Sequence, residues 1–261
     1  ADHTDGVFFN PAGLAASVYK MEMASSFVNN FELVARRNIG YATRLSNFGL
    51  EHNAVLALNM SDSRIEDIPR TEWQNDRPVI VDSFSSVESN LTFSLSKSIA
   101  WNWHVGANLR RYIYEIDRYT GEGWGADLGV LHRLPQYYFG HSIVFGATLH
   151  NLLNTPITWS TGHTDSIPMR LNVGMAAYGK LFDRKYVLST EVGSEGGSKS
   201  TLHNGVEYWV LPEMFALRCG LDDGAFTIGT GLAYEGFTVD YAQADLKELG
   251  AIQRLSLGFV F

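Results

Sequence analysis

Charged side chains recur at positions flanked by small residues, where they could bind or guide a polar solute. Opposite charges directly across a pair of antiparallel strands stabilise its register. Four pairs stand at spacings that would bring them together in this way: Glu207 with Arg218, Arg110 with Asp127, Asp240 with Arg254, and Glu191 with His203. Two interpretations stay open, a charged passage for a solute or a set of salt bridges that fills a narrow interior. The second is favoured.

Carboxylates and histidines also raise the question of an enzyme. The sequence contains neither a Gly-x-Ser-x-Gly nor a His-Glu-x-x-His motif, which mark two common classes of hydrolase. No Ser or Asn stands at a recognisable spacing from the four histidines expected in the interior or near a rim, which are His104, His132, His150 and His203. The sequence therefore predicts no enzymatic activity, no metal site and no cofactor.

The composition excludes several classes of protein. The formal net charge is −8 and no cluster of Lys and Arg is present, which argues against a nucleic-acid partner. A single Cys excludes an intrachain disulfide framework and a multi-Cys zinc site. No apolar run approaches the ~18 residues of a transmembrane helix. The mean hydropathy of −0.08 fits either a soluble β protein or a membrane barrel that hides its apolar surface at every second residue.

Alternation with a period of two predicts strands along most of the chain. In the clearest run, Phe226–Tyr234, large residues occupy one face and Gly or Ala the other. About fourteen such runs occur, most of them near the ~9–11 residues that a tilted membrane strand needs. Long connections such as Ser63–Phe84 and Asn154–Ser166 alternate with short ones such as Glu235–Gly236, as in outer-membrane barrels.

The predicted fold is all-β. It is a transmembrane antiparallel β-barrel of about fourteen strands (residues 18–261) with a short N-terminal plug segment (residues 1–17). The alternative is a soluble sandwich or lipocalin-like barrel, but the small-residue face lacks the charges that a water-facing sheet carries. The last strand must pair with the first, because an open edge in lipid leaves backbone groups unsatisfied. Phe259 and Phe261 would then lie on the lipid face at the periplasmic rim.

The stretch DGVFFNPAGLA, residues 5–15, resembles the Asn-Pro-Ala-Gly-Leu-Ala motif of the FadL-like superfamily of outer-membrane proteins, with the PorV/PorQ branch as the best match. Residues 149–179 resemble the family's Pro-Leu-Arg strand, and residues 207–261 resemble its C-terminal hairpins. The resemblance implies a barrel in the outer membrane of a Gram-negative-type bacterium, surrounded by lipid and lipopolysaccharide. The aromatics Phe259 and Phe261 resemble the signal that the outer-membrane assembly machinery reads.

The resemblance also implies a role for the N-terminal segment as a plug or hatch, formed by Phe8, Phe9, Asn10, Pro11, Ala12, Gly13 and Leu14. Asn10-Pro11 favours a turn, and Pro11 can begin a helix that Asn10 would cap. Phe8 and Phe9 would anchor the segment against the barrel interior. A gating hatch and a static cover remain equally open.

Two classes of function remain. The PorV/PorQ resemblance implies a partner or cargo-anchoring subunit of a secretion or cell-surface complex of the type IX kind, which would bind a protein partner in the membrane. The FadL resemblance implies a transporter or channel for hydrophobic or small solutes, with a hydrophobic ligand. The first is the main prediction and the second the alternative. A solvent-filled pocket bounded by Phe8, Phe9 and Leu14 would favour transport, whereas a tightly filled lumen would favour the partner role.

Overall fold

The computed structural model describes residues 4–17, 19–50, 53–99, 102–135, 140–197, 199–246 and 250–261. Helical structure in these ranges comprises the single α-helical turn Gly13–Ala16 and the 3₁₀ turns Thr4–Phe8 and Leu45–Phe48. No helix in the described ranges is long and apolar enough to cross a bilayer. The strands are β1 (Met21–Asn30), β2 (Val34–Arg44), β3 (Ala54–Gln74), β4 (Arg77–Ser98), β5 (Trp103–Ile116), β6 (Tyr119–Arg133), β7 (Ser142–His150), β8 (Thr155–Trp159), β9 (Thr164–Ile167), β10 (Arg170–Leu181), β11 (Arg184–Glu195), β12 (Lys199–Leu211), β13 (Phe215–Asp222), β14 (Ala225–Tyr234), β15 (Phe237–Leu246) and β16 (Gly250–Val260).

The strands form a closed antiparallel barrel. Of the sixteen strands in the described ranges, all except β8 and β9 pair around one ring, which leaves fourteen. Nine residue pairs join β1 to β16, and Met21 and Phe261 exchange two backbone hydrogen bonds of 3.0 Å next to them. This closure satisfies the backbone groups that a bilayer cannot. The predicted fourteen-stranded barrel is confirmed.

The two faces of the wall differ as the alternation predicts. On β4, Phe93 and Leu95 are exposed on the outer face, whereas Thr92, Ser94 and Ser96 are buried on the inner face. An even number of strands with an apolar outer band is the architecture of bacterial outer-membrane proteins. The predicted location in an outer membrane follows from that architecture.

Tight turns fix the registers of the hairpins. Asp223 and Gly224 have positive φ angles of 48° and 90°, the geometry of the two-residue turns whose twist matches that of the strands. The longer connections gather at one end of the barrel, here called the loop end, and the opposite end is called the turn end. In outer-membrane barrels the loop end faces the outside of the cell and the turn end faces the periplasm.

Strands β3 and β4 run beyond their neighbours as a two-stranded ribbon, residues 66–84. β2 pairs with β3 only as far as Ile65, and β5 pairs with β4 only from Ser86. The prediction of a loop over Ser63–Phe84 is therefore wrong. Two register shifts interrupt this stretch of paired strand and break the alternation that would have revealed it, and the ribbon turns at Asn75–Asp76.

The connection Asn154–Ser166 is a hairpin, β8–β9, rather than an irregular loop. β8 pairs with the loop-end part of β6, where β7 has already ended. Thr155 and Ile157 are buried, and a Cβ on Gly125 of β6 would lie 2.5 Å from Thr155 Oγ1. Glycine on β6 therefore makes room for this hairpin. The hairpin was missed because its strands are short and the first contains a proline.

Candidate functional site: the barrel lumen

Residues 4–17, here called the N-terminal segment, lie against the inner wall of the barrel. Val7 and Leu14 are buried and pack against inward side chains of β2 and β3. Asn108 of β5 donates a hydrogen bond from Nδ2 to the carbonyl of Val7 at 2.9 Å. The segment is thus held by apolar contacts on one side and by a polar wall residue on the other. The proposed boundary of the plug at residue 17 precedes residue 18, which lies outside the described residues.

Asn10 fastens the segment to β6 and β7. Its Nδ2 donates to the carbonyl oxygens of Val130 at 3.1 Å and Ala147 at 3.2 Å, and its Oδ1 accepts a hydrogen bond from the amide of Ala12 at 3.0 Å. The helix begins at Gly13, and its N-cap residue Ala12 makes no side-chain cap bond. The prediction that Asn10 caps a helix starting at residue 11 is therefore wrong, because its side chain instead bonds the wall and closes the local turn.

Two glycines provide the seat for this turn. A Cβ on Gly106 of β5 would lie 2.5 Å from the amide nitrogen of Ala12, and a Cβ on Gly129 of β6 would lie 2.8 Å from Pro11 Cδ. Any larger residue would push the segment off the wall. Sequence reasoning missed both positions, although the alternation places them on the inner face of neighbouring strands.

Serines of β4 hold the C-terminal part of the segment. Ser96 Oγ accepts a hydrogen bond from the amide of Ala15 at 3.1 Å, and Ser98 Oγ donates to the carbonyl of Ala15 at 3.1 Å. Arg44 Nη2 donates to the carbonyl of Ser17. The wall therefore satisfies backbone groups that a four-residue helix leaves unpaired.

One interior histidine contacts a serine that no recognisable sequence spacing revealed. Ser98 and His104 are directly opposite on β4 and β5, and Ser98 Oγ lies 2.8 Å from His104 Nδ1. Ser98 Oγ also lies 3.1 Å from the carbonyl oxygen of Ala15, and the tautomer of His104 decides which of the two groups accepts the hydroxyl proton. The absence of enzymatic activity stays a prediction.

An arginine bridge joins three strands on the inner wall. Glu207 and Arg218 are directly opposite on β12 and β13, as the sequence predicts, and Arg218 Nε donates to Glu207 Oε2 at 2.7 Å. Arg218 Nη1 also donates to Asp240 Oδ1 on β15. The predicted pairing of Asp240 with Arg254 is wrong, because the β15–β16 register places Asp240 opposite Ser256. Arg254 Nε donates to Ser256 Oγ at 3.0 Å.

Arg110 and Asp127 meet, but not in the predicted register. Asp127 is opposite Asn108, and Arg110 is opposite Gly125, so the pair is diagonal. Arg110 Nη2 still reaches Asp127 Oδ2 at 2.7 Å, because the arginine side chain is long. The Asp127 side chain is 0% exposed and also accepts hydrogen bonds from Asn108 Nδ2 at 2.8 Å and from the amide of Asn151 at 3.1 Å. It is the most thoroughly engaged carboxylate of the four predicted pairs.

Glu191 and His203 are directly opposite, as the sequence predicts, but each has a different partner. Glu191 Oε1 accepts a hydrogen bond from Asn172 Nδ2 at 2.8 Å. His203 Nδ1 lies 2.6 Å from Asp222 Oδ1. The register alone therefore did not determine the contacts.

A cavity of about 1090 Å³ occupies the lumen beside the N-terminal segment. Phe8, Phe9 and Asn10 of the segment border it. Its wall includes Arg170, the first residue of β10 at the loop end, and Arg133, the last residue of β6 at the turn end. The free space therefore extends along the barrel between its two ends.

Phe259 and Phe261 lie on the outer face at the turn end. Their ring centroids are 5.1 Å apart, and that of Phe259 is 4.4 Å from that of Phe237 on β15. This aromatic cluster lies at the predicted rim. The role of the two residues as an assembly signal stays a prediction.

No protein-family model and no curated protein matches the chain in sequence, whereas solved structures resemble it in fold. A crystal structure of the toluene transporter TodX of Pseudomonas putida is 10% identical with a TM-score of 0.67, covering 99% of this chain and 94% of that one. A crystal structure of a FadL homologue of Pseudomonas aeruginosa is 10% identical with a TM-score of 0.58, with the same coverage of 99% and 94%. The chain thus has the fold of the FadL-like outer-membrane β-barrels.

Proposed function

We propose that the barrel is a channel through which small solutes cross the outer membrane, by way of the cavity beside the N-terminal segment. The observation that carries the proposal is the extent of that cavity, from Arg170 at the loop end to Arg133 at the turn end. Its volume is at the upper limit of the ~300–1,000 Å³ of typical small-molecule sites. Phe8 and Phe9 border it, which favours transport, whereas Leu14 does not border it as expected, because it is buried against β2 and β3.

Similarity of fold supports the same class of function. One of the two solved structures reported above is a toluene transporter. Because the identity is only 10%, the solute of this chain has to be argued from its own lining. The alternative that the sequence raised, a channel or transporter, thereby becomes the main proposal.

In this proposal the N-terminal segment is a fixed constriction rather than a removable hatch. Its displacement would expose Val7 and Leu14 and break the hydrogen bonds that Asn10, Asn108 and Ser98 make. Each lost hydrogen bond with a buried partner costs about 1–3 kcal/mol. A solute that travels through the neighbouring cavity does not require that displacement.

Uptake by liposomes that contain the purified chain tests both parts of the proposal. Ala15→Cys with Ser98→Cys, in a Cys219→Ser background, sets one thiol on the segment and one on the wall at positions that are in contact, since Ser98 Oγ lies 3.1 Å from the Ala15 carbonyl. Thiol titration after oxidation shows whether the disulfide has formed. We expect equal uptake of small solutes in the oxidised and reduced forms, with Cys219→Ser alone as the control. Loss of uptake on oxidation would show that the segment must move. No uptake by any form would overturn the channel.

A specific observation also favours the partner role that the PorV/PorQ resemblance implies. Trp73 and Ile80 of the ribbon are 77% and 68% exposed. They share one face of the ribbon, because Trp73 is opposite Pro78 and Ile80 is opposite Thr71. Exposed apolar patches with a polar rim are typical of protein interfaces. The ribbon would thus present a site for a protein partner in a membrane complex.

Purification from native membranes tests this second role. We expect a stoichiometric partner protein to accompany the parent chain and to be lost with Trp73→Ser and Ile80→Ser together. The control is Trp124→Ser on the outer face of β6, which is 54% exposed and lies outside the ribbon. A partner that binds both variants equally, or no partner at all, would contradict a docking role for the ribbon.

A further inference from the structure

We propose that the lumen passes small hydrophilic anions in preference to cations. This inference names the substrate class of the channel proposed above and rests on that function. The charges on the cavity wall sum to a positive value, whereas the whole chain has a negative net charge.

The described part of the cavity wall carries an excess of positive charge. It contains two carboxylates, Glu191 and Asp222. It contains five arginines, Arg36, Arg110, Arg133, Arg170 and Arg254. Five minus two gives +3 for the described lining, in a chain whose formal net charge is −8. A confined space lined by one sign of charge concentrates ions of the opposite sign.

The carboxylates of the lumen already have donors. Glu191 Oε1 is bonded by Asn172 Nδ2 at 2.8 Å, and Asp222 Oδ1 lies 2.6 Å from His203 Nδ1. Arg110 is neutralised by the buried Asp127. The amide of Asn172 is neutral and leaves the charge of Glu191 in place. With the Arg110–Asp127 pair set aside, four arginines face two carboxylates, and the described lining keeps an excess of +2.

Three of the arginines keep their charge for the solvent. Among the described residues, no carboxylate lies within 4.0 Å of the guanidinium groups of Arg36, Arg133 or Arg170. Arg170 Nε donates to the amide oxygen of Asn172 at 2.9 Å, and Arg133 lies over the ring of Tyr178 at 5.6 Å. Both partners are neutral and orient the guanidinium groups without cancelling them.

These arginines occur at both ends of the path. Arg36 is the third residue of β2, and Arg170 is the first residue of β10, so both belong to the loop end. Arg133 is the last residue of β6 at the turn end. Rings and ladders of Arg or Lys are the usual device of anion pores. An anion would therefore meet a guanidinium group where it enters and another where it leaves.

The neutral part of the lining mixes apolar side chains, such as Phe8, Phe9 and Leu131, with polar ones that suit a hydrated solute. Sites for apolar ligands are lined mainly by hydrophobic and aromatic side chains. Here side chains with amides and hydroxyls recur around the cavity: Asn10, Asn151, Asn172, Asn204, Gln243 and Thr227. Such groups replace hydration-shell water around a small carboxylate or phosphate better than they solvate a hydrocarbon.

Reversal potentials of the full chain in planar lipid bilayers test the inference. Under a KCl gradient around 0.1 M we expect chloride to be favoured over potassium, on the order of tenfold. The preference should fall at 1 M KCl, because the screening length shrinks from about 10 Å to about 3 Å. Swelling of liposomes in sodium acetate and in neutral arabinose provides a readout that does not require a current.

Arginine variants assign the selectivity to the lumen. Arg36→Gln, Arg133→Gln and Arg170→Gln should each lower the chloride preference by about two- to fivefold, the effect of one nearby charge in a watery space. The matched control is Arg37→Gln, since Arg37 is the next residue on β2, has a side chain 61% exposed and pairs with Asp62 at 3.8 Å. It lies on the opposite face of the strand and should leave the preference unchanged.

The outcomes separate the anion preference from the channel itself. A current with equal or greater permeability to potassium, or a chloride preference that Arg37→Gln alters as much as the lumen variants do, would overturn the anion preference and leave the channel standing. Neither current nor swelling in acetate or arabinose would overturn the channel. Unchanged migration of the folded barrel in gels shows that each variant has folded.

Discussion

Arg218 on β13 binds Asp240 on β15 across the intervening strand β14. At the crossing β14 contributes Gly231, so no side chain obstructs the guanidinium group. A Cβ at that position would lie 2.8 Å from Arg218 Nη2 and 2.7 Å from Asp240 Oδ1. A single glycine thus lets one arginine connect three strands, with Glu207 of β12 as its other partner.

Gly231→Ala should weaken this bridge. We expect the free energy of unfolding to fall by about 1–3 kcal/mol, because the new methyl group displaces the arginine or the carboxylate. Urea titration of the folded barrel, followed by gel migration, measures the change. In an Asp240→Ala background the same substitution should lower the free energy of unfolding by less, because the Arg218–Asp240 contact is already absent. An equal cost in both backgrounds would show that the methyl group acts elsewhere.

Asp127→Asn should lower the free energy of unfolding far more than its position in a polar lumen suggests. The Asp127 side chain is fully buried, and its replacement by Asn leaves Arg110 without a carboxylate partner. Breaking a buried ion pair costs about 3–5 kcal/mol, again measured by urea titration. Asp62→Asn is the comparison, because Asp62 pairs with the exposed Arg37 at 3.8 Å and should cost only about 0–1 kcal/mol. Similar losses for both variants would contradict this account.

Asn10→Ala should loosen the N-terminal segment without unfolding the barrel. The variant loses the donors to Val130 and Ala147, worth about 1–3 kcal/mol where the acceptors stay buried. The free energy of opening that hydrogen exchange reports for residues 4–17 should fall by that amount, so that these amides exchange faster. Asn10→Asp keeps the acceptor for the amide of Ala12 but sets a negative charge against two carbonyl oxygens. Normal protection in the aspartate variant would argue against the anchoring role of the amide.

Gly106→Ala should displace the segment through steric contact alone. Its Cβ would lie 2.5 Å from the amide nitrogen of Ala12, a distance at which the backbone has to move. We expect faster exchange in residues 4–17 and an unchanged rate in the barrel strands. Gly205→Ala is the matched control, since the nearest atom to its Cβ is the flexible hydroxyl of Ser189 at 2.8 Å. If residues 4–17 keep their protection from hydrogen exchange in Gly106→Ala, then the absence of a side chain at Gly106 is not what makes room for the segment.

Alternation, together with the rhythm of long and short connections, predicted the barrel, because lipid and lumen impose opposite requirements on successive residues. The same signal failed over residues 66–84, where the ribbon extends beyond its neighbouring strands, both of its faces are largely exposed, and two register shifts interrupt the pairing. It also failed for β8–β9, whose strands are too short to establish a period. Periodicity therefore reports the environment of a strand, and it disappears where the environment is the same on both sides.

The contacts of the lumen were only partly predictable from strand registers. Glu207 and Arg218 flank a short turn, so counting from its centre located the pair. Asp240 contacts Arg218, two strands away, instead of Arg254, because Gly231 on the strand between them has no side chain to block the contact. Such a contact needs the order of the strands around the ring as well as the spacing along the chain.

The ribbon of β3 and β4 has a consequence for molecules crowded side by side in a membrane. Its backbone pairs with neither β2 nor β5 beyond the barrel, and bare strand edges recruit strands from neighbouring copies. Pro69 and Pro78 each remove an N–H from such an edge, and Arg70 ties the base of the ribbon to Asp117 at 2.7 Å. We therefore expect the projecting arm to resist cross-molecular sheet growth between adjacent barrels.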